Sequence, residues 1–178
     1  MSVLQGLLID NKVLSGTLLR EVVNPATEAV VAKCSTGDIA HIDQAVQSSA
    51  RAFETWSRLE QGRERGLAML RFADLIDANK SRIVKTLIVD AGKPTYEAEL
   101  EVTQTAAAFR FFSGVADKIH GQVLPHGESH LAIEDRVPVG VVGVISPWNF
   151  PIQLMAWRAS RQALVFVPFF FLSFCEVR

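Results

Sequence analysis

The residue type with the most chemical promise in this chain is a single carboxamide. An apolar run, Val141 to Ile145, breaks at Ser146-Pro147, offers Asn149, and resumes at once with helical spacing through Trp157. A side-chain N–H held beside an apolar turn can stabilise an oxygen on which negative charge develops during a reaction. The same residue can also do a structural job, as the N-cap of the helix that follows. Both readings stand at this point. The other chemically capable side chains are scattered. Cys34 sits near a strand end in VVAKCSTGD, and Cys175 lies close to the C-terminus with no histidine nearby. A nucleophilic thiol needs a helix N-terminus or a cation to lower its pKa, and neither cysteine has an evident one. His41, His120, His126 and His130 lack metal-ligand spacing and read as surface or turn residues. Glu97, Glu99 and Glu101 follow one another at i, i+2, do not share a helix face, and read as solvated rather than as an acid/base pair.

The elements that must position Asn149 follow from periodicity. Val139 to Ile145 carries valines on both parities and no charge, the pattern of a parallel strand covered on both faces. Pro151 is tolerated in the first turn of a helix. Strand, tight turn and helix together make the opening half of a nucleotide-binding α/β unit.

Upstream, Leu7–Ile9 and Leu14–Leu19 read as strands. Glu21–Val23 and Ala29–Lys33 read as a hairpin around the turn-forming NPAT at 24–27. Thr36 and Asp38 open a helix whose inner face is Ile39, Ile42, Ala45, Val46 and Phe53. The segment 60–78 reads as a helix with Leu67, Leu70, Leu75 and Ile76 inward and Arg63, Arg65, Arg71 and Asp74 outward. A polar break at 79–81 precedes a helix over 82–89, with Ile83, Val84, Leu87 and Ile88 as its stripe. Gly92 ends it. Pro94 opens another that runs to about Lys118, with Leu100, Thr103, Ala107, Phe111 and Val115 inside. His130 to Val137 reads as a polar-sided edge strand.

Composition narrows the function classes. The chain has 178 residues, 49% of them hydrophobic, enough for a sizeable core. Its net charge is -1 with no basic block, which argues against nucleic-acid binding, where clustered Lys and Arg must neutralise phosphates. Two cysteines without regular spacing suit a reducing, cytoplasmic compartment rather than a disulfide scaffold. MSVLQGLLIDNK has no basic region of the kind that opens a signal peptide. The most apolar stretch, 163–174, is too short for a membrane span of ~20 residues and contains Pro168.

Five motifs, in order, give the chain a family likeness. SPWNFP at 146–151, within RVPVGVVGVISPWNFP, resembles the signature of the NAD(P)-dependent aldehyde dehydrogenase superfamily. NPAT, AVQSSARAFETWS at 45–57, ERGLAMLRFADLIDAN and DAGKP at 90–94 resemble its other N-terminal motifs. The likeness covers roughly residues 5–158. It implies an α/β fold: N-terminal helices and edge strands, plus the first strand-turn-helix of an incomplete Rossmann-like NAD(P)-binding domain. It also implies attack by a cysteine thiolate on an aldehyde, hydride transfer to NAD or NADP, and release of a carboxylic acid. In that scheme Asn149 is the side-chain donor to the oxyanion. Ile145, Ser146, Pro147 and Trp148 form the wall against the cofactor, and Phe150, Leu154 and Trp157 line the aldehyde tunnel. The 130–137 strand matches one that family members use in homo-oligomer contacts; its plain reading is an ordinary edge strand.

The family's nucleophilic cysteine and glutamate base belong to segments that have no counterpart here. Past Arg158 the chain changes character, and ASRQALVFVPFFFLSFCEVR matches nothing in the pattern. The sequence therefore divides at 158/159, into an incomplete cofactor-binding domain and an unmatched hydrophobic tail of the kind a shifted reading frame produces. On this reading the parallel neighbours of the Val139–Ile145 strand are missing, and the chain is inactive alone. The alternative is a non-catalytic interaction or oligomerisation fragment.

Overall fold

The computed structural model describes residues 6–57, 62–127, 130–164 and 169–173. Two antiparallel ribbons come first. β1 (Leu7–Ile9) and β2 (Lys12–Leu14) are joined by Asp10 and Asn11, with φ of 55° and 58°. That is the two-residue turn whose twist suits a hairpin, and Asp and Asn tolerate it. β3 (Leu18–Val23) pairs with β4 (Val30–Thr36) around the NPAT turn, as expected. There the Asn24 carboxamide oxygen accepts from the backbone amides of Ala26 (2.8 Å) and Thr27 (3.3 Å). The single strand expected over 14–19 is interrupted. Gly16 lies so close to the next ribbon that a Cβ on it would meet the Thr36 carbonyl oxygen at 2.2 Å.

Helix α1 (Ile39–Trp56) is capped by Asp38, which accepts from the His41 amide at 3.1 Å. The His41 ring turns back on the cap, its Nδ1 lying 2.6 Å from Asp38 Oδ1. Thr36, also expected at this cap, instead donates its hydroxyl to the Leu18 carbonyl across the ribbon. Of the expected inner face of α1, Ala45 is buried, whereas Ile39 and Val46 are exposed.

Helices α2 (Arg63–Ala78), α3 (Lys80–Ala91), α4 (Thr95–Ser113) and α5 (Pro151–Leu164) share one core. It is built from Met69, Ala73 and Ile76 of α2, Val84 and Leu87 of α3, Ala98, Val102, Ala106 and Phe109 of α4, and Ala156 and Ala159 of α5. The α3 stripe is as expected, and Gly92 ends that helix with a left-handed φ of 66°.

The faces of α2 and α4 are not as expected. Leu67, Leu70 and Leu75 are exposed and Arg65 is buried; on α4, Leu100 and Phe111 are exposed. The cause is backbone proximity. A Cβ on Gly66 would meet the Ser113 carbonyl oxygen at 2.7 Å, so α2 and α4 meet along their small residues rather than their largest ones. Helix α4 also stops at Ser113, short of Lys118, and continues only as turns.

β5 (Gln122–Leu124) and β6 (Ala132–Glu134) form a third antiparallel ribbon, exposed along both strands except at the half-buried Ala132. β7 (Val142–Ser146) leads into α5, and β8 (Phe169–Ser173) returns beside it. β7 and β8 are parallel, in register from Val142↔Phe169 to Ser146↔Ser173. This corrects the expectation that the parallel neighbours of this strand are missing: the Phe-rich stretch supplies one. β7 is also not covered on both faces. Val144 and Ser146 are buried while Ile145 is 62% exposed, and Val139 lies outside the ladder and exposed. Among the described residues no helix is long and apolar enough to cross a membrane.

Candidate active site

The turn between β7 and α5 holds the candidate residues. Leu154 donates its amide to the Phe150 carbonyl at 3.0 Å, the first i→i−4 bond of α5. Phe150 is therefore the N-cap position, Pro151 is N1, and the amides of Ile152 and Gln153 have no partner within the helix. Phenylalanine has no acceptor to give them. Glu101 of α4 does: its Oε1 accepts from Ile152 at 3.0 Å and from Gln153 at 3.2 Å. Its Oε2 accepts from Lys93 Nζ at 2.5 Å. The Lys93 ammonium also lies 3.7 Å from the centroid of the Phe150 ring. One turn further along α4, Gln104 accepts a hydrogen bond from the Gln153 side chain. The first turn of α5 is thus held from α4, by residues three apart on one face.

Glu101 is 1% exposed, which corrects the reading of Glu97, Glu99 and Glu101 as all solvated. A buried carboxylate is tolerable only when paired and hydrogen-bonded, and here a lysine and two amides meet it. The sequence did contain a signal. Glu101 falls on the stripe Ala98, Val102, Thr105, Ala106 and Phe109, which is the true inner face of α4.

Asn149 lies one residue outside the cap position. Its side chain is exposed and has no hydrogen-bond partner among the described residues. The N-cap reading of Asn149 is therefore set aside, because Glu101 does that work. Trp148 is 69% exposed and Pro147 is exposed, so with Ile145 they present an apolar wall at the carboxyl end of β7. Ser146 faces the opposite way, buried, and contributes only its backbone to that wall. Leu154 and Trp157 are three apart and share one face of α5, and Phe150 precedes them at the cap position. Phe150 and Leu154 are half-buried and Trp157 is exposed.

The wall suits the flat ring of a dinucleotide. The N-terminus of α5 does not suit its phosphates, since a carboxylate already takes the amides that would bind an anion. Cys34 is half-buried, and burial first, then the Asp90 carboxylate, pushes its thiol pKa above 9.0. Cys175 lies outside the described residues. No group of three metal-ligating side chains occurs among the described residues.

A parallel strand, a turn displaying one unengaged carboxamide, and a helix capped from a neighbouring helix define the start of a Rossmann-like α/β unit. Comparison with known proteins narrows this. The chain belongs to the aldehyde dehydrogenase family, whose model matches residues 15–165, somewhat past Arg158 where the motif likeness ends. Aldehyde dehydrogenase 1 of Tanacetum cinerariifolium is 40% identical over 143 residues, 79% of this chain and 28% of that protein. The mitochondrial aldehyde dehydrogenase of Leishmania tarentolae is 39% identical over 142 residues, with the same shares. The structure of PnpE in complex with nicotinamide adenine dinucleotide superposes with a TM-score of 0.91 at 31% identity, over 96% of this chain and 36% of that one. The chain thus spans a little over a quarter of the length of these two relatives.

Proposed function

We propose that this chain supplies the oxyanion donor and cofactor wall of an NAD(P)-dependent aldehyde-oxidising site, and does not turn over alone. The observation that supports this reading is the unengaged Asn149 carboxamide at the end of β7, beside the apolar wall of Ile145, Pro147 and Trp148. An N–H donor there stabilises the oxygen of an aldehyde carbon as a nucleophile adds to it. Phe150, Leu154 and Trp157 are assigned to the aldehyde tunnel, Leu154 and Trp157 from one face of α5 and Phe150 from the cap position before it. When bound, NAD or NADP accepts the hydride. Residues 1–158 are assigned to the cofactor-binding domain, and because the family match runs on to 165, the tail that departs from the family's sequence begins later than 159. A cytoplasmic compartment is part of this reading; Cys34 forms no disulfide among the described residues.

Cys34 is not set up as an activated nucleophile: burial first, then the nearby Asp90 carboxylate, push its thiol pKa up. The test mixes the chain with NAD+ and a series of aldehydes and follows NADH. No NADH is expected, and calorimetry should find weak or no NAD+ binding. NADH production that survives replacement of both Cys34 and Cys175 by serine sinks the thiolate scheme.

A second reading rests on the β5–β6 ribbon, whose Val123, Leu131 and Ile133 are all exposed. Contiguous exposed apolar side chains mark interaction surfaces. On this reading the chain is a non-catalytic partner that associates with itself or with a full-length relative through residues 130–137. Stable association without cofactor binding favours it.

A further inference from the structure

We propose that Lys93 and Glu101 are a positioning pair that presets the Asn149 carboxamide. The inference rests on the reading of Asn149 as the oxyanion donor. A helix ordinarily meets its first amides with a local Ser, Thr, Asp or Asn. Here the cap position is Phe150, and the acceptor comes from Glu101, 51 residues before Ile152 in the chain. This arrangement leaves the two residues at the turn free for other work. Phe150 can offer an aromatic ring where a capping residue would offer a polar group, and Asn149 stays out of the helix's hydrogen bonding.

A carboxylate alone at this place would oppose negative charge developing nearby. Lys93 answers it. Its side chain is 7% exposed, it meets Oε2 at 2.5 Å, and it leaves the pair neutral. The same ammonium sits over the Phe150 ring at 3.7 Å, so one cation fixes both the capping carboxylate and the residue next to Asn149. The Gln104–Gln153 contact adds a second tie between α4 and the first turn of α5. The backbone on the helical side of Asn149 is thereby anchored to α4, so the turn that carries the donor needs no rearrangement when charge appears.

A merely structural ion pair can be replaced by apolar side chains of similar size with little loss of stability. A positioning pair loses its role on the same replacement even where stability is kept, because the α5 amides lose their acceptor. The deciding variant of the full 178-residue chain is therefore Lys93→Met/Glu101→Leu, labelled with 15N. Its denaturant midpoint should stay near that of the unaltered chain. The Ile152 and Gln153 amides should exchange with solvent about tenfold faster or more, as expected for loss of a charge-assisted hydrogen bond. The Asn149 side-chain NH2 pair should shift as the turn that carries it moves. Unchanged exchange at Ile152 and Gln153 and an unchanged Asn149 pair would overturn the proposal.

If the double variant does not fold, Glu101→Gln decides. It keeps one acceptor oxygen but turns an NH2 group toward Lys93. The Lys93 ε-methylene should lose its ring-current shift from Phe150, and the Asn149 pair should shift; no change in either refutes the pair's role. No readout uses aldehyde or cofactor. An Asn149 that is ordered by the pair in a family site later found not to use it would refute the oxyanion reading and leave the positioning result standing.

Discussion

Glu101 Oε1 lies 3.0 Å from the backbone nitrogen of Ile152, a contact that joins the middle of one helix to the first turn of another. The turn that carries Asn149 is therefore built from two distant parts of the chain. Local sequence supplies the strand, the Ser-Pro break and the helix start. The cap that holds them in place comes from α4, and the consequences can be measured.

Removing one member of the pair should be costly. Lys93→Met leaves the buried Glu101 carboxylate without its cation, a loss of roughly 3–5 kcal/mol by analogy with other buried pairs. Urea unfolding followed by circular dichroism should show a large drop in midpoint or loss of a cooperative transition. A midpoint equal to that of the unaltered chain means that Lys93 and Glu101 are not paired in solution.

Asn149→Ala should behave in the opposite way. Its side chain caps nothing, so stability should change by no more than about 0.5 kcal/mol. A capping asparagine would cost about 1 kcal/mol on the same change. A loss of that size, seen in the same urea experiment, would return Asn149 to a structural role.

Gly92 ends α3 in the left-handed conformation, and a Cβ there would lie 2.6 Å from Pro25 Cγ in the NPAT turn. Gly92→Ala should cost about 1–2 kcal/mol from backbone strain, before any clash is counted. The accompanying chemical-shift changes should reach Pro25 and its neighbours. Shifts confined to α3 would mean that the helix end and the hairpin do not touch.

Cys34 should alkylate slowly. Burial, then Asp90, raises its thiol pKa, so little thiolate exists near neutral pH. Peptide mapping after iodoacetamide should find Cys34 modified more slowly than a cysteine in an unfolded peptide. The gap should narrow as pH rises past 9.0, its ordinary value. Faster modification than the peptide at neutral pH would make Cys34 a candidate nucleophile after all.

The N-terminus of α1 should fray in acid. His41 holds the Asp38 carboxyl below its ordinary 3.8, through a side-chain hydrogen bond first and a backbone one second. A carboxyl lowered in this way stabilises the folded chain at pH above 3.8, and the contribution fades as pH falls below that value. Amide exchange at His41 should accelerate in that window, beyond what Asp38→Asn shows. Equal behaviour of the two chains would remove Asp38 as the titrating cap.

Much of the local architecture was legible in the residues. NPAT, Gly92, Pro94 and Pro151 act within a few positions of themselves, through fixed φ, a missing N–H or tolerance of positive φ. Turns and helix ends could therefore be placed from sequence. So could the stripe of α3, where large apolar residues have the helical period. The order of the family motifs was also in the sequence, and with it the candidacy of Asn149.

Tertiary structure decided which faces are inside. Helices α2 and α4 approach through Gly66, Ala73, Ala98 and Ala106, because small residues let backbones close in. A search for the largest apolar residues therefore chose the wrong stripes and left Glu101 in solvent. The pairing of β7 with β8 was equally hidden, because a Phe-rich run says nothing about which strand it will lie beside. The role open to Asn149 depended on the same long-range packing. Sequence placed it within reach of a cap, and only the arrival of Glu101 from α4 released it, since hydrogen-bond partners are chosen by distance in space and not by distance along the chain.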